Sequence, residues 1–280
     1  MNSKIKGFEH KISLGQNFLT DEQLLRHLAA LTQLTPEDTV LEIGAGRGDF
    51  TLALAECCKQ VITIEIDNRL EPILCELFSG MDNVRLVMGD VMELDLEELM
   101  QGYGPFHVAA NLPYYLTTPI LNLLLHSALP IRSISVMVQQ EAAQRVLALP
   151  GTPSYGPLAV AAAYKSSPRA ALRVPASAFI PPPKVDSVFL VMPFLDKPAV
   201  SVVDEKTFYQ VVVAAFAMRR KTMLNNLIKA FHFTREQALR CLNSAGLPES
   251  IRGERLTLLE FALLTGAVID EKTDKLVINP

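Results

Sequence analysis

Cysteine is scarce in this 280-residue chain: Cys57, Cys58, Cys75 and Cys241 are the only four, and none lies in a C-x-x-C or Cys/His spacing that gathers around a metal. Free thiols in a reducing cytoplasm are expected, and metal centres and disulfide scaffolds are set aside. Long apolar runs are missing too. The most apolar stretch, Leu121 to Ile131, is interrupted by Asn122, His126, Ser127 and Pro130 and is too short to cross a bilayer. The first residues intersperse Lys4, Lys6, Glu9, His10 and Lys11 among single apolar positions, so no secretory signal is expected. The protein is therefore placed in the cytoplasm with no membrane partner. Internal repeats and low-complexity stretches are absent, and so is the Walker Lys-Ser/Thr that cradles a triphosphate.

Charge is low in total, with a net of −4, but it is unevenly spread. Residues 1–131 carry 8 Lys/Arg against 18 Asp/Glu, and residues 132–280 carry 18 against 12. Local potential governs the docking of a polyanion, so the basic second half admits a nucleic-acid partner that the net charge alone would argue against.

Thr20-Asp21-Glu22-Gln23 reads as a capping box, followed by Leu24, Leu25, Leu28 and Leu31 at helical spacing. A β-prone run, Thr39 to Ile43, then ends in Gly44-Ala45-Gly46-Arg47-Gly48, and residues 49–58 have helical periodicity. Further strands are predicted at 60–65, 84–87, 107–110 and 134–138, with helix-length segments between them. This alternation predicts an α/β fold built on a parallel sheet. Residues 150–183 are proline-rich and irregular, and one late strand follows at 187–192. Helices are then predicted near 205–217, 222–231, 234–245 and 256–265, which sets a boundary near residue 200. The expectation is a catalytic domain over 1–200 and a smaller, all-helical domain over 201–280.

In open parallel sheets, ligands bind beyond the carboxyl ends of the strands, which singles out Gly44, Glu65, Asp90 and Asn111. Gly44 and Gly46 let the backbone approach a ligand closely. The third glycine comes one residue too early for the G-x-G-x-x-G dinucleotide fingerprint, which counts against a nicotinamide cofactor. Glu65 can accept hydrogen bonds from ribose hydroxyls, and Asp90 from an adenine amino group. Both NAD and S-adenosylmethionine carry that ribose, but a sulfonium donor needs only backbone, carboxylates and an adenosine slot, and an acidic first half suits a cation. S-adenosylmethionine is the expected cofactor.

Asn111-Leu112-Pro113-Tyr114 then supplies the chemistry. An adenine amino nitrogen is a poor nucleophile because its lone pair is delocalised into the ring. The Asn111 side-chain oxygen and the Leu112 carbonyl can each accept one N6 hydrogen bond and favour a pyramidal nitrogen. Pro113 stiffens the turn, and Tyr114 offers a stacking face worth about 1–3 kcal/mol per base.

Taken with Gly15-Gln16-Asn17-Phe18-Leu19, Glu42 to Gly46, Phe179 to Ser187 and Phe216 to Thr222, this motif resembles the ribosomal RNA adenine dimethyltransferase family along nearly the whole chain. The resemblance is to the branch acting on the small subunit. It implies a Rossmann-like, S-adenosylmethionine-dependent methyltransferase sheet and dimethylation of N6 on two adjacent adenosines of small-subunit RNA. The partner implied is a partly assembled small subunit, so that the protein, expected to act as a monomer, serves rRNA processing and ribosome biogenesis. It further implies that Asn17 and Leu19 close over the cofactor and that Gly44 and Gly46 pass under its amino-acid end. Glu65 would hold the ribose, Asp90 the adenine, and Asn111 would bridge cofactor and target. Phe179 would join Tyr114 as a stacking surface for a flipped base. Arg219, Arg220 and Lys221 would contact RNA phosphates. Two rivals remain: the related methylases of large-subunit RNA, and a non-catalytic nucleic-acid-binding protein that keeps the fold.

Overall fold

The computed structural model describes residues 17–278, with side chains through residue 273; Gly15 and Gln16 of the first motif lie outside the described residues. The chain separates into two compact units, one holding residues up to Ala143 with Pro168–Phe194, the other Gln144–Ser167 with Leu195–Pro280. A single cut near residue 200 does not describe this division. The segment 144–167 leaves the sheet and joins the helices, so the chain passes between the units three times.

The first unit begins with β1 (Phe18–Leu19), α1 (Glu22–Leu31), β2 (Thr39–Ile43), α2 (Asp49–Ala55), β3 (Gln60–Glu65), α3 (Glu71–Leu77) and β4 (Val84–Met88). Next come α4 (Leu96–Leu99), β5 (Phe106–Asn111), α5 (Thr117–His126) and β6 (Ile131–Gln139), from which α6 (Gln140–Val146) runs into the second unit. After α7 (Pro157–Lys165) of that unit, the chain returns for β7 (Arg169–Val174), β8 (Phe179–Ile180) and β9 (Ser187–Pro193). Seven strands form one sheet in the order β4-β3-β2-β5-β6-β9-β7, and β1 pairs with β8 in a separate ribbon. The five strands from β4 to β6 are parallel, while β9 runs antiparallel to both β6 and β7.

Every residue of β2 is buried, so both faces of the sheet centre are covered, as parallel strands require. Leu25 and Leu28 of α1 and Phe50 and Leu54 of α2 cluster with Val40, Val61, Ala109, Met137 and Phe189 of the strands. Asp21 caps α1 by accepting from the Gln23 and Leu24 amides at 2.9 and 3.2 Å, close to the expected helix start. A late hairpin appended to the sheet suits the strand expected at 187–192, and β7 pairs antiparallel with β9 there, although the sequence does not place β7 itself. Its sequence Arg-Ala-Ala-Leu-Arg-Val has one β-branched residue, and it pairs on one side only, to β9, so neither propensity nor burial marks it.

The second unit adds α8 (Glu205–Ala217), α9 (Met223–Phe231), α10 (Arg235–Ser244) and α11 (Leu258–Ile278) to α7. Phe208, Leu227, Leu242, Leu256, Phe261 and Leu264 are central members of its core. Helix α11 runs 13 residues past the expected end at Thr265. Thr265 is fully buried, and its hydroxyl donates back to the Phe261 carbonyl at 2.7 Å, so the residue is satisfied inside the helix and Gly266 does not stop it. Among the described residues, no helix is long and apolar enough to cross a membrane, and no cluster of His, Cys, Asp and Glu could hold a metal.

Candidate active site

Register explains how residues far apart in sequence meet. Ile43 of β2 lies beside Ile64 of β3 and Ala110 of β5, so Gly44, Glu65 and Asn111 emerge side by side at the carboxyl end of the sheet. The Gly44 and Ala45 amides both donate to the Ile64 carbonyl, at 2.9 and 3.0 Å, which fastens the glycine loop to β3. Gly44 and Gly46 have φ of +87° and +55°, values that disfavour any side chain. A Cβ on Gly46 would stand 3.0 Å from the Phe18 ring.

Around these residues opens a cleft with about 870 Å³ of empty space, part of it continuous with solvent. Asn17, Leu19, Gly44, Gly46 and Glu65 line it together with the Asn111–Tyr114 segment. Nine of the eleven residues expected to bind cofactor or target therefore share one cavity wall.

Glu65 is only 5% exposed. One carboxylate oxygen accepts from the Gly46 amide at 2.7 Å and the other from the Asp67 amide at 2.8 Å. Burial pushes its carboxyl above the usual range, and the amides of Asp67, Gly46 and Ile66 pull it back. An ionised carboxylate has about four lone-pair sites, so it keeps capacity for an incoming hydroxyl. Ile66, next in the chain, lines the cleft and is 45% exposed, an apolar surface of the kind a purine covers.

Asn111 donates through Nδ2 to the Asn17 carbonyl at 3.1 Å. That bond orients the amide and leaves its oxygen as the acceptor. The Leu112 amide donates to the Met137 carbonyl at 3.3 Å, and the Leu116 amide closes a turn on the Pro113 carbonyl at 3.0 Å, so the loop is pinned to β6 and to itself. The Tyr114 hydroxyl lies 3.3 Å from the Ser187 hydroxyl, which fixes a half-buried ring. Tyr115, not singled out in the sequence, also lines the cleft and is 57% exposed.

Two expected members are not in the wall. Phe179 is 2% exposed and packs in the core with Leu19 and Leu25, because β8 pairs it with Leu19 in the ribbon. In this structure its ring faces the core and not the cleft. Asp90 stands just past β4, where one carboxylate oxygen accepts from the Met92 amide at 2.9 Å in an Asx turn. Arg219, Arg220 and Lys221 are exposed at the junction of α8 and α9, with Arg219 donating to the Pro153 carbonyl at 2.9 Å.

Behind the glycine loop lies a carboxyl to which the sequence alone assigns no role. Glu42 is 1% exposed, and both the Thr51 and Thr63 hydroxyls donate to its Oε2, at 2.5 and 2.6 Å. Burial pushes its pKa to about 8, the two hydroxyls opposing the shift and the nearby Glu65 adding to it. Because the folded pKa is raised, this group's contribution to stability is fully present below the unfolded value and is lost as pH rises through about 8. Glu42→Gln, a neutral isostere, should therefore gain on the parent by roughly 2 kcal/mol between pH 5 and pH 7. Urea unfolding at the two pH values measures the gain, and a difference that does not change with pH contradicts it.

The sequence relationships agree with this geometry. A profile described as ribosomal RNA adenine dimethylase matches residues 7–260. The ribosomal RNA small subunit methyltransferase A of Streptococcus pneumoniae (strain CGSP14) is 44% identical over 269 residues, covering 94% of this chain and 93% of that protein. Among solved structures, a dimethyladenosine transferase from Plasmodium falciparum superimposes with a TM-score of 0.76 at 24% identity, covering 91% of this chain and 98% of the other. The 23S rRNA methyltransferase ErmE gives 0.68 at 25% identity, covering 90% and 100%.

Proposed function

This chain belongs to the ribosomal RNA adenine dimethylase family, and from that premise we propose that it transfers methyl groups from S-adenosylmethionine to N6 of two adjacent adenosines in small-subunit ribosomal RNA. The product is N6,N6-dimethyladenosine, and the setting is assembly of the small subunit. The observation that carries the proposal is the Asn111 amide, anchored through its nitrogen to Asn17 and standing in the same cavity wall as Gly44 and Glu65.

The cavity's residues divide the work. Glu65 accepts the ribose hydroxyls, Ile66 covers the adenine ring, and Gly44 and Gly46 pass beneath the amino-acid end. Asn17 and Leu19 close the cleft from above. Asp90, just past β4 and outside that wall, has one oxygen engaged by the Met92 amide and offers the other to the adenine amino group. When bound, the cofactor supplies an electrophilic methyl on a sulfonium, and the chain's task is to present the target nitrogen to it. Asn111 Oδ1 and the Leu112 carbonyl each accept one N6 hydrogen, which turns the nitrogen lone pair out of conjugation. Tyr114, held by Ser187, stacks on the extruded base. No strong base is needed, because the nitrogen sheds its proton readily once methylated. Holding nucleophile and methyl in line at about 3 Å contributes several kcal/mol by proximity.

The helical unit supplies phosphate contacts through Arg219, Arg220 and Lys221, whose exposure leaves their charges accessible to RNA. Purified protein incubated with tritiated cofactor and isolated ribosomal subunits tests the substrate. Label is expected in the small subunit; label in the large subunit alone would assign the chain to the other branch.

A further inference from the structure

Among the described residues, the cavity wall contains three charged side chains: Glu65, Arg47 and Asp49. Glu65 is accounted for by the ribose. Arg47 stands in the glycine loop directly past Gly46 and Asp49 opens α2, at the end of the cleft assigned to the amino-acid part of the cofactor. Their side chains retain 23% and 33% of their exposure, and Arg47 Nε lies 3.3 Å from Asp49 Oδ2. The contact is an ion pair but not a hydrogen bond, and Nε is buried with no acceptor. A guanidinium is a fork of five donors, and a buried one left unpaired is costly. Burial also pushes the Asp49 carboxyl upward, with Arg47 opposing and Glu22 adding to the shift. Two opposite charges, both partly withdrawn from water and imperfectly joined to each other, line a cleft that must accept a ligand.

We propose that Arg47 and Asp49 bind the zwitterionic amino-acid end of the cofactor, Arg47 taking the α-carboxylate and Asp49 the α-ammonium. An α-amino acid carries both signs one carbon apart, and the loop presents both signs one residue apart. An RNA phosphate in the same place would meet Asp49 as a repelling neighbour, so the pair fits a zwitterion and not a polyanion. A charge-assisted contact on each group explains why the Arg47–Asp49 pair is loose: each partner keeps capacity for the ligand. The inference rests on the S-adenosylmethionine reading above and extends it to residues that recognise the end of the molecule farthest from the base.

Calorimetry with two ligands separates the inference from that reading. S-adenosylhomocysteine carries the amino-acid end, and 5′-methylthioadenosine lacks it while keeping adenosine and sulfur. The parent protein should bind the first more than about tenfold tighter than the second. Arg47→Gln and Asp49→Asn should each weaken S-adenosylhomocysteine about tenfold and leave methylthioadenosine within about twofold, with Arg47→Lys between parent and Arg47→Gln. Unaltered methylthioadenosine binding also verifies that the variants fold. Variants that bind S-adenosylhomocysteine like the parent, or that lose both ligands equally, overturn the inference and leave the cofactor reading standing. A parent that binds neither ligand overturns both.

Discussion

Asn111→Ala should fold, bind cofactor within a few-fold of the parent, and lose methyl transfer by about 100- to 1,000-fold, the range seen when one preorganised polar contact to a reacting centre is removed. The size of the effect follows from what the amide does. Its nitrogen is committed to the Asn17 carbonyl at 3.1 Å, so the side chain cannot rotate freely and its oxygen is held as an acceptor beside the glycine loop. Alanine removes the acceptor that turns the N6 lone pair toward the methyl, and nothing in the wall replaces it: Leu112 offers its carbonyl, but one acceptor cannot hold both N6 hydrogens. The structural cost is small by comparison, since a single half-buried hydrogen bond contributes about 1 kcal/mol. Single-turnover rates with saturating donor and RNA, alongside a thermal melt, distinguish the two costs. A variant that turns over near the parental rate is incompatible with activation of N6 by this amide.

Glu65→Ala should raise the cofactor dissociation constant by about 100-fold while lowering the rate at saturating cofactor by less than about tenfold, because charge-assisted hydrogen bonds contribute about 1.5–3 kcal/mol each. Glu65 does two things at once. Its oxygens hold the Gly46 and Asp67 amides at 2.7 and 2.8 Å, and the same oxygens receive the ribose. Alanine therefore orphans two backbone donors and removes the ligand's anchor in one step. Glutamine keeps one oxygen and should fall between. The effect belongs to binding and not to chemistry, because none of these contacts changes as the methyl moves. Titration calorimetry with S-adenosylhomocysteine reads it directly, and an unchanged affinity would remove the ribose from Glu65.

The sheet and most of the cavity wall were legible in the sequence for the same reason. Strands β2 and β3 follow runs of β-branched and apolar residues whose ends are set by glycine or acid, and in a parallel sheet residues just past such ends must converge. Gly44, Glu65 and Asn111 are each placed by that rule. What the sequence did not carry was direction about the chain axis. Phe179 and Tyr114 are both aromatics within two residues of a proline, yet pairing with β1 turns Phe179 into the core, while the Ser187 contact holds Tyr114 at the cleft. Arg47 and Asp49 read as ordinary loop and helix-start charges, because only the fold shows that the glycine loop bends them to the same cavity. Residues 144–167 gave no sign of joining the helical unit, since the apolar face of α7 looks the same whichever core it covers.

A crystal structure with S-adenosylhomocysteine bound tests the whole account most directly. It should place both ribose hydroxyls on the Glu65 carboxylate and the sulfur toward Asn111, with the Asn111 nitrogen still on the Asn17 carbonyl. Ligand seated elsewhere, or an Asn111 amide oxygen rotated out of the cleft, would contradict it.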